Sequence, residues 1–271
     1  MICSDRFSYS QYKEQKTDGN SMKILPIASG STGNSMLLDL DGRRLLIDLG
    51  VSASILKQAL TENGYGFDAI DAVLITHTHS DHVKGLAVCM KRIAAPIFMS
   101  GSSRDRLMME RAKPLLYSAR TEILPGLWVT AIPTSHDCPG SVGFKIETED
   151  VCVGYLTDLG CIPESTMDLL YGAGCIVIES NHDEEMLRYG SYPAYLKRRI
   201  LSDQGHLSNV SCAEAIARFA EKGTRRFFLA HLSQENNRPE LALDSAVKAT
   251  AGMDVSISVL PVYGGRIMEI D

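Results

Sequence analysis

Short apolar runs alternate with amphipathic stretches along most of the chain. Residues 1–21, MICSDRFSYSQYKEQKTDGNS, are polar and carry neither rhythm. Met22 then opens the apolar run Ile24-Leu25-Pro26-Ile27-Ala28. A poorly ordered extension over 1–21 and a folded domain over 22–271 are expected. Ser35–Leu40 and Arg43–Leu49 flank Asp41-Gly42, a favourable hairpin turn. Ile70–Thr76, Ile97–Ser100, Cys175–Glu179, Arg226–Ala230 and Val255–Val262 read as strands. Trp128–Pro133, Ser141–Glu147 and Val151–Thr157 read as an antiparallel group. Helical spacing covers Ser52–Glu62, stopped by Asn63-Gly64, and then His82–Ile93 and Pro239–Ala251. It also covers Ser208–Lys222, where Ala213, Ile216, Ala217 and Ala220 share a side. With no linker and no repeat, these elements suit one α+β domain, two packed sheets with helices outside.

Composition narrows the class. Hydrophobic residues make up 45% of the 271 positions and charged residues 22%, which excludes a disordered chain. No apolar run approaches the roughly 18 residues of a membrane span, and the N-terminus lacks the apolar core of a secretory signal. The net charge of −6 excludes a broadly basic nucleic-acid coat. It leaves room for a nucleic-acid enzyme, because bound divalent ions add positive charge that the sequence omits. The seven cysteines are widely spaced and form no C-x-x-C pair, as expected of unbridged thiols in a reducing cytoplasm.

The densest chemistry lies in Thr76-His77-Thr78-His79-Ser80-Asp81-His82, directly after an apolar strand. Three imidazoles and a carboxylate in six residues suit zinc, manganese or iron. His77 and His79 are two apart, so an extended loop can aim both at one ion. Asp81 and His82 follow the turn and can face a second. His136, Asp158 and His231 each stand just after a predicted strand, so all could converge on one sheet edge.

H-x-H-x-D-H followed by a His, an Asp and a final His resembles the metallo-β-lactamase superfamily. Asp48, in Leu45-Leu46-Ile47-Asp48-Leu49-Gly50, matches its early Asp. The resemblance implies a four-layer αββα sandwich and two divalent ions. His77, His79 and His136 would bind the first. Asp81, His82 and His231 would bind the second, with Asp158 bridging. Asp48 would orient the loop without ligating. Two such ions against Asp81, Asp158 and a hydroxide leave about one positive charge, which suits an anionic substrate.

Further phrases narrow the substrate. The loop Ser29-Gly30-Ser31-Thr32-Gly33-Asn34 is either a plain turn or an anion cradle. Ser29, Ser31 and Asn34 are therefore candidate substrate contacts, as are Asn181 and Ser208. Gly205-His206-Leu207-Ser208 before a helix, and Glu179 at a strand end, are similar to RNase Z–type phosphodiesterases. There an Asp–His–Glu relay protonates the leaving group, which would make Asp81, His206 and Glu179 catalytic. The whole set, including Glu179-Ser180-Asn181-His182-Asp183 and His231-Leu232-Ser233-Gln234-Glu235-Asn236-Asn237, most resembles the YycJ/WalJ group. That likeness implies a 5′→3′ exonuclease acting on DNA rather than RNA through metal-bound hydroxide. The alternative is a small-molecule hydrolase, such as a cyclic phosphodiesterase or a lactonase. Residues 186–199 interleave three tyrosines with four basic residues, either as an amphipathic helix or as a lip for a nucleic-acid strand.

Overall fold

The apolar runs assemble into two seven-stranded sheets in the computed structural model, which describes residues 22–270. The expectation for 1–21 lies outside the described residues. The first half runs β1 (Met22–Gly30), β2 (Gly33–Leu40), β3 (Arg43–Ile47), α1 (Ala53–Glu62), β4 (Ala72–Leu74), α2 (Ser80–Val83), α3 (Leu86–Cys89), β5 (Ile97–Ser100), α4 (Gly101–Arg106) and β6 (Lys113–Leu115). The second runs β7 (Arg120–Leu124), β8 (Leu127–Pro133), β9 (Val142–Glu147), β10 (Cys152–Leu156), α5 (Glu164–Leu170), β11 (Cys175–Glu179), α6 (Glu184–Tyr189), α7 (Ala194–Ile200), α8 (Asn209–Glu221), β12 (Arg226–Ala230), α9 (Pro239–Ala249) and β13 (Ser256–Val259). A last strand, β14 (Met268–Ile270), returns to pair with β1.

The sheet orders are β14-β1-β2-β3-β4-β5-β6 and β13-β12-β11-β10-β9-β8-β7. Each begins as an antiparallel meander and continues in parallel strands, β3 to β6 in one and β10 to β13 in the other. One apolar cluster, with Leu38, Leu45, Leu74, Phe144, Val153 and Val177, fills the space between the sheets. A second joins the outer face of the first sheet to α1 and α3. A third joins the outer face of the second sheet to α5, α8 and α9. Sheets carrying apolar side chains on both faces need cover on both, and the result is the expected αββα sandwich.

Helix ends follow the residues. Ser52 caps α1 through the Ile55 N–H, and Ser208 caps α8 through the Ser211 N–H. The buried face of α8 is centred on Cys212, Ile216 and Phe219, with Ala217 only half-buried. The helix expected over His82–Ile93 is two short helices, α2 and α3, parted at Lys84-Gly85. The Gly85 N–H donates to Leu49 O, and a Cβ there would lie 1.8 Å from Val51 O. Residues 186–199 are likewise two helices, α6 and α7, parted at Gly190–Pro193. β7 escaped the pattern because Arg120-Thr121-Glu122-Ile123-Leu124 buries only Ile123.

The exit of β3 lies directly against α2. Leu49 N donates to His82 O, Gly50 N donates to Asn34 O, and a Gly50 Cβ would sit 1.6 Å from Asp81 O. Only a residue without a side chain permits that approach. Gly50→Ala is expected to cost more than about 2 kcal/mol and to lower the thermal midpoint by at least ~5 °C. Gly101→Ala, which meets nothing within 4 Å, should leave it unchanged. Differential scanning calorimetry of both variants checks this.

Candidate metal centre

The carboxyl ends of the strands deliver the polar residues. Asp48 follows β3, Thr76 and His77 follow β4, and His136 follows β8. Asp158 follows β10, Glu179 closes β11, and His231 follows β12. Asp48, Asp158 and His231 leave their strands with φ of 59°, 57° and 56°. This left-handed region is uncommon for residues other than glycine, and Asp, Asn and His tolerate it best. The turn swings each side chain out of the pleat toward the shared edge.

One part of the centre is built from imidazoles. His77, His79 and His136 present ring nitrogens within 4.8 Å of one another. Nδ1 of His136 lies 3.2 Å from Gly205 O; a carbonyl can only accept, so Nδ1 carries the proton and Nε2 keeps its lone pair. That Nε2 is 3.2 Å from Nδ1 of His79. Burial lowers the pKa of all three, and neighbouring histidines lower each further. Three neutral imidazoles are a nitrogen donor set for a borderline cation.

The other part is richer in charge. Asp48 is fully buried and accepts from the Thr76 N–H at 2.8 Å and the Thr76 hydroxyl at 2.7 Å. Its Oδ2 also lies 2.7 Å from Nδ1 of His82. With Nδ1 so engaged, Nε2 of His82 faces Asp158 Oδ2 at 3.3 Å and Asp81 Oδ2 at 3.4 Å. Nδ1 of His231 is 2.6 Å from Glu179 Oε1, and its Nε2 faces Asp81 Oδ2 at 3.8 Å. Burial opposes charge on His82, yet the carboxylates of Asp158 and Asp48 raise its pKa to about 10. His231 is likewise raised against its burial, by Asp158 and by hydrogen bonds to Asp81 and Glu179. Burial also works against charge on Asp81, but its hydrogen bonds to His231 and His82 hold the carboxyl well below its ordinary range.

The donors fit divalent cations. His77 Nε2, Asp158 Oδ2 and His231 Nε2 are buried and make no hydrogen bond. Such atoms are costly unless a cation takes them. Among the described residues the possible ligand groups overlap: His77, His79 and His136; His77, His82 and Asp158; Asp81, His82 and His231.

Glu179 anchors a fourth group with Asp158, His206 and His231. Its Oε1 is shared by Nδ1 of His231 and Nδ1 of His206, the latter at 2.9 Å. Its Oε2 accepts from the N–H groups of Leu159 and Leu207. Burial disfavours its charge, but His206 and His231 lower its pKa to about 2. His206 and Glu179 therefore meet. Asp81 does not join them: its contacts are to Asn34, His82 and His231.

The candidate substrate contacts divide. Ser31 is exposed at the β1–β2 turn. The other four are buried, with their side chains engaged inside the protein. Ser29 Oγ accepts from the His231 N–H, and Asn34 braces Gly30 and touches Asp81 and His82. Asn181 Nδ2 donates to His231 O, and Ser208 caps α8. Sequence reasoning missed Asp137, whose Oδ1 is 3.6 Å from Nε2 of His136 and 3.7 Å from Nε2 of His79. It also did not foresee that Arg199, one of the four basic residues of 186–199, pairs with Asp137 through two hydrogen bonds. The only sequence signal for Asp137 was its place beside His136.

Known proteins place the chain. Residues 43–232 match the family described as "Beta-lactamase superfamily domain". The chain belongs to the metallo-β-lactamase superfamily. It is a metal-dependent hydrolase of that superfamily. It is 34% identical over 241 residues to exodeoxyribonuclease WalJ of Streptococcus pneumoniae, covering 86% of this chain and 90% of that one. It is 32% identical over 222 residues to exodeoxyribonuclease YycJ of Bacillus anthracis, covering 80% and 84%. The metallo-β-lactamase fold protein YhfI of Bacillus subtilis shares the superfamily's fold, with a TM-score of 0.71 at 15% identity over 93% of this chain and all of that one.

Two outcomes follow for metal binding. Asp48→Ala removes the nearer of two partners of His82 Nδ1 and should weaken metal affinity about 10- to 100-fold, read by competition with a chromogenic chelator. His82, with a pKa of about 10, carries a proton at neutral pH that a metal must displace. Affinity should therefore rise with pH toward 10, about tenfold per unit for each proton released. Calorimetry in buffers of different ionisation enthalpy measures that release, and a pH-independent affinity would contradict it.

Proposed function

We propose that the chain is a two-metal phosphodiesterase that degrades DNA from an end in the 5′→3′ direction. The observation that carries this reading is the pairing of His206 with buried Glu179 beside the metal-ligand cluster. The His206 ring centroid lies 5.3 Å from those of His136 and His231, and Nδ1 is held by Glu179. An alkoxide leaving group needs a proton, and this pair supplies a donor. The names of the WalJ and YycJ relatives support DNA as the substrate.

In this reading His77, His79 and His136 would hold one ion and Asp81, His82 and His231 the other, with Asp158 available as a ligand beside them. Bound there, the ions would supply a hydroxide nucleophile at neutral pH and would neutralise charge on the phosphoryl oxygens. Zinc, manganese and iron all suit the nitrogen and oxygen donors. Glu179 fixes the His206 ring, so Nε2 is the atom that hands a proton to the departing sugar oxygen. Asp48 and Glu179 set the tautomers of His82 and His231. Asp81, apart from His206, acts as a ligand and not as a member of the proton relay. The exposed turn at Ser31 and Thr32 is the part of the Gly/Ser loop left to meet substrate. No helix among the described residues is long and apolar enough to cross a membrane. The six described cysteines are free, which suits the cytoplasm.

Digestion of end-labelled single- and double-stranded DNA and RNA tests the reading. Stepwise release of mononucleotides from DNA is expected, and cleavage of cyclic dinucleotides alone would replace it with a small-diester hydrolase. His206→Ala should slow DNA cleavage roughly 10²- to 10⁴-fold while metal content stays at the parent's level. Hydrolysis of bis(p-nitrophenyl) phosphate, whose leaving group needs no proton, should change far less. Asp158→Ala should lose at least one metal by elemental analysis.

A further inference from the structure

Helix α7 is fastened to the metal centre at its carboxyl end. Arg199 pairs with Asp137, the neighbour of His136. Asp137 N donates to Gln204 O, the Ser135 hydroxyl donates to Asp203 O, and His206 N donates to Ile200 O. A Cβ on Gly205 would lie 2.2 Å from Ile200 O, and one on Gly160 would lie 2.3 Å from Ser202 O. The segment from Arg199 to His206 is thus packed backbone to backbone against the loops that carry His136 and Asp158.

Tyr195 stands one turn before Arg199. Residues four apart on a helix share a face, so Tyr195 lies on the side of α7 that turns toward Asp137, about 6 Å along the axis. Its side chain is 68% exposed, second among the exposed large apolar and aromatic residues of α6 and α7 to Tyr189 at 80%. Ala194–Ile200 contains three cations, Lys197, Arg198 and Arg199, and no anion, in a chain of net charge −6. Arg198 is exposed and three residues from Tyr195, so the two are neighbours on the helix surface. An exposed aromatic ring next to exposed cations, held rigidly beside a phosphodiester-cleaving centre, has the chemistry of a base-stacking and phosphate-holding site.

We infer that α7 is a subsite for single-stranded DNA, in which Tyr195 stacks on a base near the cleaved end and Arg198 holds an adjacent phosphate. This rests on the nuclease reading above. Arg199 is a positioning residue: its charge is taken by Asp137, which ties the end of α7 to the loop that carries His136.

The test is binding of a fluorescent, nuclease-resistant phosphorothioate single strand to the full chain, followed by anisotropy. Tyr195→Ala should weaken binding roughly 5- to 150-fold, the range of one base stack. Tyr195→Trp should restore it, and hydrolysis of bis(p-nitrophenyl) phosphate should be unchanged in both. Arg198→Gln should weaken binding and flatten its salt dependence. Parent-like binding by Tyr195→Ala overturns the subsite while leaving the nuclease reading intact. A parent protein that hydrolyses the small diester but neither binds nor degrades DNA overturns both.

Discussion

Two buried carboxylates hold the centre in shape. Asp48, at the end of a strand in one sheet, takes the Nδ1 side of His82. Glu179, at the end of a strand in the other, takes the Nδ1 side of His231 and of His206. An imidazole has two nitrogens, and committing one decides where the other points. Nε2 of His82 is thereby turned inward toward Asp81 and Asp158, and Nε2 of His231 toward Asp81. Neither carboxylate is stable alone in an apolar interior. Asp48 is satisfied by Thr76 and His82, and Glu179 by two histidines and two backbone N–H groups. Each sheet thus contributes one anion whose own solvation requires the histidines to be where they are.

Much of this could be read from the chain. The His77–His82 run was legible because imidazoles and a carboxylate crowd together just after an apolar strand, a placement that burial alone does not favour. The two sheets were legible from strand-length apolar runs, and α1 and α8 from the helical spacing over Ser52–Glu62 and Ser208–Lys222. The resemblance to a known superfamily supplied what spacing could not, since Asp48 and His82 are 34 positions apart and meet only in the fold.

The misses have physical reasons. Periodicity carried the helix from His82 through Ile93, but the backbone of the β3 exit runs too close at Gly85 for one straight helix. β7 stayed hidden because an edge strand with one buried residue has little apolar rhythm. Ser29, Asn34, Asn181 and Ser208 have the small polar side chains of ligand contacts, yet the folded chain uses them on its own backbone or on the clustered histidines. Composition does not distinguish a hydroxyl facing substrate from one propping a ligand. The Asp137–Arg199 pair spans 62 positions and had no local signal.

The left-handed exits of Asp48, Asp158 and His231 bear on how such a protein can drift over evolutionary time. Asparagine fits that backbone nearly as well as aspartate, whereas valine or isoleucine would strain it. The easiest substitutions at these corners therefore discard charge and keep conformation. A lineage relieved of selection for catalysis could exchange its carboxylates while the corners of the sandwich keep their course. Descendants that retain the architecture but no longer hold metal would then arise by small steps through folded intermediates.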